Sequence, residues 1–190
     1  MRRGRLVLET ERLRLRDHRR SDFEKYYALF ADPEVAEFIA YGLRSDRKAQ
    51  KRAFSAIRAQ PALAARDKYY LLAEDRASGE FVGECGFDVI RREAGGGIAE
   101  AGYYIARSKW GAGYATEILG ALIDYCFREL GLHKVMGTCD CRNLGSARVM
   151  EKCGMVREGL LRLQRASGGI WVDECFYGIL RGSRFPEIPS

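Results

Sequence analysis

The chain has 190 residues, of which 47% are hydrophobic and 31% charged, with a net charge of +6. That length supports a single domain, residues 1–190, with a sizeable core, and the composition excludes disordered and collagen-like chains. No run approaches the ~20 apolar residues of a membrane span, and the arginine-rich Met1 to Glu11 lacks the apolar centre of a signal peptide, so a cytoplasmic protein is expected.

In chain order, "RLRLRDHRR" alternates Arg12, Arg14 and Arg16 with Leu13 and Leu15, the pattern of a strand with one solvated face. The solvated face explains these arginines better than a nucleic-acid stripe, because neither helix-turn-helix spacing nor an aromatic-rich binding strand accompanies them. Ser21 can cap a helix through "DFEKYYALFAD" that Pro33 ends. A second helix, "DRKAQKRAFSAIRAQ", is apolar at Ala49, Ala53, Ala56 and Ile57 and stops before Pro61. "KYYLLAED", the turn "RASG" and "EFVGECGFDVI" make a hairpin, and "AGGG" separates it from a further strand, "IAEAGYYIAR". These strands join the first in an antiparallel sheet.

From Tyr114 to Leu130 the apolar residues Leu119, Leu122, Ile123, Cys126, Phe127 and Leu130 fall on one helix face, and Gly131 ends the helix. "HKVMGTCDC" alternates as a strand. "NLGSARVMEKCG" is a short helix capped from Asn143 or Ser146 and closed by Gly154, and "LLRLQRA" with "IWVDECFYGIL" forms a last hairpin around Ser167, Gly168 and Gly169. The fold class is α/β (α+β).

The six cysteines, Cys85, Cys126, Cys139, Cys141, Cys153 and Cys175, form no C-x-x-C pair and no small secreted framework, so reduced, mostly buried thiols are expected. Cys139, Cys141 and Cys153 with His133 are a poor zinc set, and no metal is expected.

The loop "SKWGAGYATE" stands between a strand and the best-patterned helix. Free N–H groups and the positive helix end suit a phosphate, and Gly111 and Gly113 let a ligand approach the backbone. The third glycine of G-x-G-x-x-G is replaced by Thr116, so a glycine-rich turn with no ligand stays open on spacing alone.

"WGAGYATE", followed by "NLGSARVMEKCGMVREG" and "WVDECFYGIL", resembles the GCN5-related N-acetyltransferases (GNAT), in particular the branch that acetylates ribosomal-protein N-termini. The likeness runs from "LETERLRLR" to "YGIL". It implies the GNAT fold: a mixed, mostly antiparallel sheet splayed at an acetyl-CoA site, with helices on both faces. It also implies that Trp110, Gly111, Ala112, Gly113, Tyr114, Ala115 and Thr116 cradle the pyrophosphate. Tyr103, Tyr104 and Ile105 would offer strand backbone to the pantetheine, Asn143 would hold its amide, and Arg148 and Lys152 would meet the nucleotide. Both of those cations can equally be solvated helix positions. Met150 stands where distant relatives place a tyrosine, which leaves Ser146 to protonate the departing thiolate, unless it merely caps its helix.

A general base is sought at Glu100, then Glu84, then Asp88; each can equally face solvent on an alternating strand. Some relatives of the ribosomal branch carry a glutamate seven residues beyond "EG"; counted from Glu158, that position here is Arg165, a departure that bears on both the base and the acceptor. Asp173 is read as structural, and His18 and His133 as ordinary polar residues. The implied reaction is attack of a neutral primary amine on the acetyl thioester, with a protein or peptide N-terminus as acceptor. The alternatives are a small-molecule acceptor (aminoglycoside, polyamine or amino acid) and a non-catalytic acyl-CoA-binding module. The expected partners are acetyl-CoA and the amine, with homodimerisation an option and neither membrane nor specific nucleic acid expected. The acceptor loops, Ala31 to Gln60 and Arg91 to Gly97, carry no readable code.

Overall fold

The structure is a computed structural model that describes residues 5–38, 46–63, 65–167 and 170–183. Part of the first acceptor loop and the glycines of the last hairpin turn lie outside these residues. The strands are β1 (Val7–Glu9), β2 (Leu13–Asp17), β3 (Lys68–Asp75), β4 (Phe81–Glu93), β5 (Gly96–Ile105), β6 (Lys134–Asp140), β7 (Val156–Ser167) and β8 (Ile170–Leu180). Among them run the helices α1 (Phe23–Ala31), α2 (Pro33–Ala36), α3 (Arg47–Ala59), α4 (Tyr114–Arg128) and α5 (Leu144–Lys152). The strands form one eight-stranded sheet in the order β1-β2-β3-β4-β5-β6-β8-β7.

Every neighbouring pair is antiparallel except β5 and β6, whose connection through α4 makes them parallel. That pairing is short: Ile98, Ala99 and Glu100 face Lys134, Val135 and Met136, and the strands then part. Beyond this point β5 stays paired to β4 as far as Ile105, and β6 to β8 as far as Asp140. A wedge therefore opens in the sheet, as the splayed architecture requires.

Two apolar clusters hold the layers. The α4 stripe Ile118, Leu119, Leu122, Ile123 and Cys126 is buried against Leu13, Leu15, Leu71, Phe87 and Val135. The second cluster packs Tyr26, Leu29 and Phe30 of α1 and Phe54 of α3 against Phe81 and Tyr104. Successive strand residues point to opposite faces. Tyr103 joins the first cluster and Tyr104 the second, so helices cover both sides of the sheet.

Four sequence expectations change. The first strand is a hairpin, β1 against β2, closed around Thr10. Pro33 not only follows α1 but opens α2, with Asp32 as its cap accepting from Glu34 N at 2.9 Å; proline is at home in a first helical turn, where its missing N–H is not needed. Ser21 does not cap α1, which is entered through a 3₁₀ turn at Arg20–Asp22. Finally, the arginine face is not uniformly wet. Arg14 is exposed, but Arg16 is buried, with its guanidinium on both Asp22 oxygens at 2.7 and 3.1 Å and Nε on Glu74 at 3.1 Å. Burial pushes the Asp22 carboxyl up, yet the Arg16 fork and the Arg19 N–H outweigh it and hold it below the usual carboxylate range.

The thiols also differ from expectation. Cys85, Cys126, Cys139 and Cys153 are free and buried, but Cys141 and Cys175 are joined in a disulfide. Register explains the pairing: Cys139 faces Cys175 across β6 and β8, Cys141 N continues the ladder to Asp173 O at 3.0 Å, and the bridged Cα atoms lie 5.3 Å apart. Among the described residues no helix is long and apolar enough to cross a membrane, and no cluster of three or more His, Cys, Asp or Glu suits a metal ion.

Candidate active site

The wedge between β5 and β6 is a cleft of about 560 Å³. One wall is Tyr103, Tyr104 and Ile105 of β5; another is Asn143, Ser146, Arg148 and Lys152 at the start and along one side of α5; Trp110, Gly111, Gly113, Tyr114, Ala115 and Thr116 close the end at α4. Two elements far apart in sequence thus meet across the strand gap. Ala112 is in the loop but does not line the cleft.

The loop reaches α4 through two left-handed glycines, Gly111 at φ 74° and Gly113 at φ 79°. Among the described residues no protein group accepts from the backbone N–H of Gly113, Tyr114, Ala115 or Thr116. These are the unpaired donors of a helix start, and with the helix dipole behind them they suit an anion. Trp110 is held over the loop by its Nε1, which donates to Ile105 O at 2.8 Å. The Ile105 carbonyl is thereby used, and the backbone of β5 that lacks a strand partner on its β6 side is 101–104.

A brace not foreseen from the sequence fixes this loop. Arg12 donates from Nη1 to Ala112 O at 2.9 Å and from Nε to Glu117 Oε2 at 2.7 Å, and its guanidinium lies 4.6 Å from the centre of the Tyr114 ring. Glu117 also accepts from Arg12 N at 2.8 Å and Thr10 Oγ1 at 2.5 Å. Partial burial raises the Glu117 pKa, but these donors more than reverse the shift, so its carboxyl titrates below the usual range. Alternation marked Arg12 as a wet strand residue; its position one residue before β2, in a turn that faces the α4 start, gives it a different task. Arg12→Ala should weaken CoA binding roughly five-fold, a modest loss because the side chain is partly exposed, with little change in kcat at saturation. Equilibrium titration with CoA and a saturation curve check this.

At α5, Asn143 is the cap: its Oδ1 accepts from Ser146 N at 3.0 Å. The Ser146 hydroxyl is therefore not needed for capping. It lies 3.0 Å from the hydroxyl of Tyr103, whose burial raises its pKa and keeps it a neutral phenol. Cys153 Sγ donates to Thr116 O at 3.4 Å, tying the end of α5 to the first turn of α4. Arg148 and Lys152 face the cleft, and neither makes an ion pair among the described residues.

The three carboxylates sought as bases lie apart. Glu100 is at the root of the wedge, where its Oε1 accepts from Thr138 Oγ1 at 3.3 Å; Thr138, not Glu100, lines the cleft. Glu84 is only 5% exposed, off the cleft, and 2.8 Å from His18 Nε2, with His18 packed edge-on against Phe54 and Tyr26. Burial raises the Glu84 pKa, opposed by His18. Asp88 is 3.5 Å from Lys68 Nζ. Arg165, met in the sequence only as a missing acid, is a cleft residue.

The acetyltransferase (GNAT) domain family matches residues 12–156. An uncharacterised N-acetyltransferase, p20, of Bacillus licheniformis is 28% identical over 92% of this chain and 96% of its own length. Another, YoaA of Bacillus subtilis (strain 168), is 31% identical over 92% of this chain and 97% of its own. Among solved structures, a GNAT-family acetyltransferase from Bacillus anthracis has a TM-score of 0.79 at 26% identity, covering 94% of this chain and 100% of that one. A spermidine N-acetyltransferase from Vibrio cholerae, in complex with CoA and spermine, has a TM-score of 0.77 at 22% identity, covering 90% and 97%. A ribosomal-protein-S5-alanine acetyltransferase from Vibrio fischeri has a TM-score of 0.77 at 19% identity, covering 95% and 100%; at these identities both share the fold. The family match spans most of the chain and includes the loop, the parted strands and α5, and the chain belongs to the GNAT acetyltransferases as an N-acetyltransferase.

Proposed function

We propose that this protein moves the acetyl group of acetyl-CoA to a primary amine, in the first place the α-amine of a peptide or protein N-terminus, with a small molecule (amino acid, polyamine or aminoglycoside) as the alternative acceptor. The observation that carries the donor half is the row of free N–H groups from Gly113 to Thr116, set beside unpaired β5 backbone. The pyrophosphate would take those donors, with Arg148 and Lys152 near the nucleotide phosphate. The pantetheine amides would extend β5 at 101–104 as an added strand. A structural neighbour in complex with CoA agrees with this use of the fold.

In this reading the amine attacks the thioester carbonyl, the C–S bond breaks, and the sulfur takes a proton from Ser146, whose hydroxyl is restored by a proton from water in the cleft. The Tyr103 and Ser146 hydroxyls lie 3.0 Å apart, and either can donate; with the phenol as donor, as this reading has it, the serine proton is left for the sulfur. The amine proton leaves through Thr138 or water to Glu100. A cytoplasmic setting belongs to the same reading, although the Cys141–Cys175 bridge is at odds with it.

Thiol release from acetyl-CoA with a panel of amines is the test. Saturable CoA binding with no turnover on any amine would favour the non-catalytic module, and turnover on polyamines or aminoglycosides alone the small-molecule alternative. The pH profile adds a second check. The α-amine of a peptide or protein N-terminus has a pKa of about 8, so with such an acceptor kcat/KM should rise with pH and flatten above roughly 8, whereas a lysine-type acceptor keeps rising towards about 10.

A further inference from the structure

Arg165 stands on β7 where the pairing with β8 slips between Leu161 and Arg165, and it lines the cleft with Thr138 and Tyr104. Its guanidinium has five N–H donors in a planar fork. Nε is 3.5 Å from Glu174 Oε1, an ion pair without hydrogen-bond geometry, and Nε and Nη2 are buried with no hydrogen-bond partner. Among the described residues none of the five donors is used. The other nearby carboxylate, Asp140, is occupied: Arg142 holds both its oxygens from Nε and Nη2, the shortest contact being 2.6 Å.

A guanidinium in a cleft wall with unmet donors is costly unless something completes it, and a ligand carboxylate matches the fork with two charge-assisted hydrogen bonds. Glu174 offsets charge without using the fork. A polyamine acceptor would instead bring a second cation towards Arg165. We propose that Arg165 reads a carboxylate on the acceptor, so that the substrate class is amines carrying a carboxylate close to the reacting nitrogen: a free amino acid or a peptide with an acidic first residue. This rests on the acetyl-transfer reading of the cleft. Arg165 is then a specificity determinant, and its replacement of the ribosomal-branch glutamate is a change of acceptor chemistry.

The test compares matched acceptors by kcat/KM. Asp-Ala-Ala-amide against Asn-Ala-Ala-amide isolates a side-chain carboxylate; alanine against alanine amide isolates the α-carboxylate once each rate is referred to the neutral amine, because the carboxylate raises the pKa of the amine beside it; spermidine is the cationic control. One carboxylated member should be preferred roughly ten-fold or more over its neutral partner. Arg165→Gln should bring that preference to within about two-fold, with Arg165→Lys, which keeps charge but loses the fork, in between. Melting curves show that the variants fold, and Arg165→Lys carries the comparison if Arg165→Gln does not. Equal rates within both pairs, a preference that survives Arg165→Gln, or spermidine as the best acceptor would overturn the assignment while leaving acetyl transfer standing. If CoA binds but no amine turns over, the acetyl-transfer reading fails separately. The same pairs titrated into CoA-loaded protein then decide: a roughly ten-fold tighter carboxylated member, lost in Arg165→Gln, supports the role of Arg165, and equal affinities refute it.

Discussion

Ser146→Ala should lower kcat about 100-fold, some 2.7 kcal/mol of barrier, while KM for acetyl-CoA stays within about two-fold. The expected loss sits at the low end for general acid catalysis because a thiol of pKa near 8.5 is already a fair leaving group at neutral pH. Two contacts make the prediction sharper than a serine at a helix start would allow. Asn143 supplies the cap, so the alanine variant keeps its helix and should melt within a few degrees of the wild type. Tyr103 supplies the hydrogen bond that aims the hydroxyl, and its raised pKa means that it positions rather than ionises. Tyr103→Phe should therefore cost several-fold in kcat on its own and almost nothing in a Ser146→Ala background, since a positioning residue has nothing left to position. Independent, multiplying losses would assign Tyr103 to packing, and an unchanged kcat in Ser146→Ala would remove the serine from the chemistry.

The elements nearest the site were also the most legible in the sequence. The α4 stripe, the glycines before it, and the Asn143 cap are local patterns, each set by periodicity or turn chemistry within a few residues. What stayed hidden depends on contacts between distant segments. Arg12 and Arg16 obey one alternation, yet one braces the α4 loop and the other is sealed over Asp22, because different elements arrive above them. The disulfide joins cysteines 34 residues apart, and only the β6–β8 register brings them together. Glu84 and Glu100 sit on neighbouring strands with the same alternating pattern; the packing of His18 and Phe54 over one of them, and the parting of β5 from β6 beside the other, is decided by tertiary structure. Arg165 was reached by counting, but counting reports a missing acid and not a guanidinium with free donors.

Gly83→Ala and Gly86→Ala should separate stability from cofactor binding, because the two glycines press β4 against different neighbours. A Cβ at Gly86 would lie 2.0 Å from Tyr69 O of β3, and one at Gly83 would lie 2.2 Å from Tyr104 O of β5. Neither obstacle is a side chain that can turn aside; both are backbone carbonyls in the middle of a sheet, so each substitution must push a strand. Overpacking of this kind costs about 3 kcal/mol, or roughly 6–12 °C in Tm for a chain of this size. The consequences then diverge. Gly86→Ala displaces β3, on the far side of β4 from the cleft, and the folded fraction should bind CoA as the wild type does. Gly83→Ala displaces Tyr104 and Ile105, the end of the strand whose free edge would receive the pantetheine and whose carbonyl anchors Trp110. It should lose CoA affinity about ten-fold in addition to stability, because the donor strand is no longer held in line with the α4 loop. Thermal melts with and without saturating CoA distinguish the two: the ligand-induced rise in Tm should be preserved in Gly86→Ala and diminished in Gly83→Ala. An equal rise in both would mean that the cleft does not depend on the placement of β5.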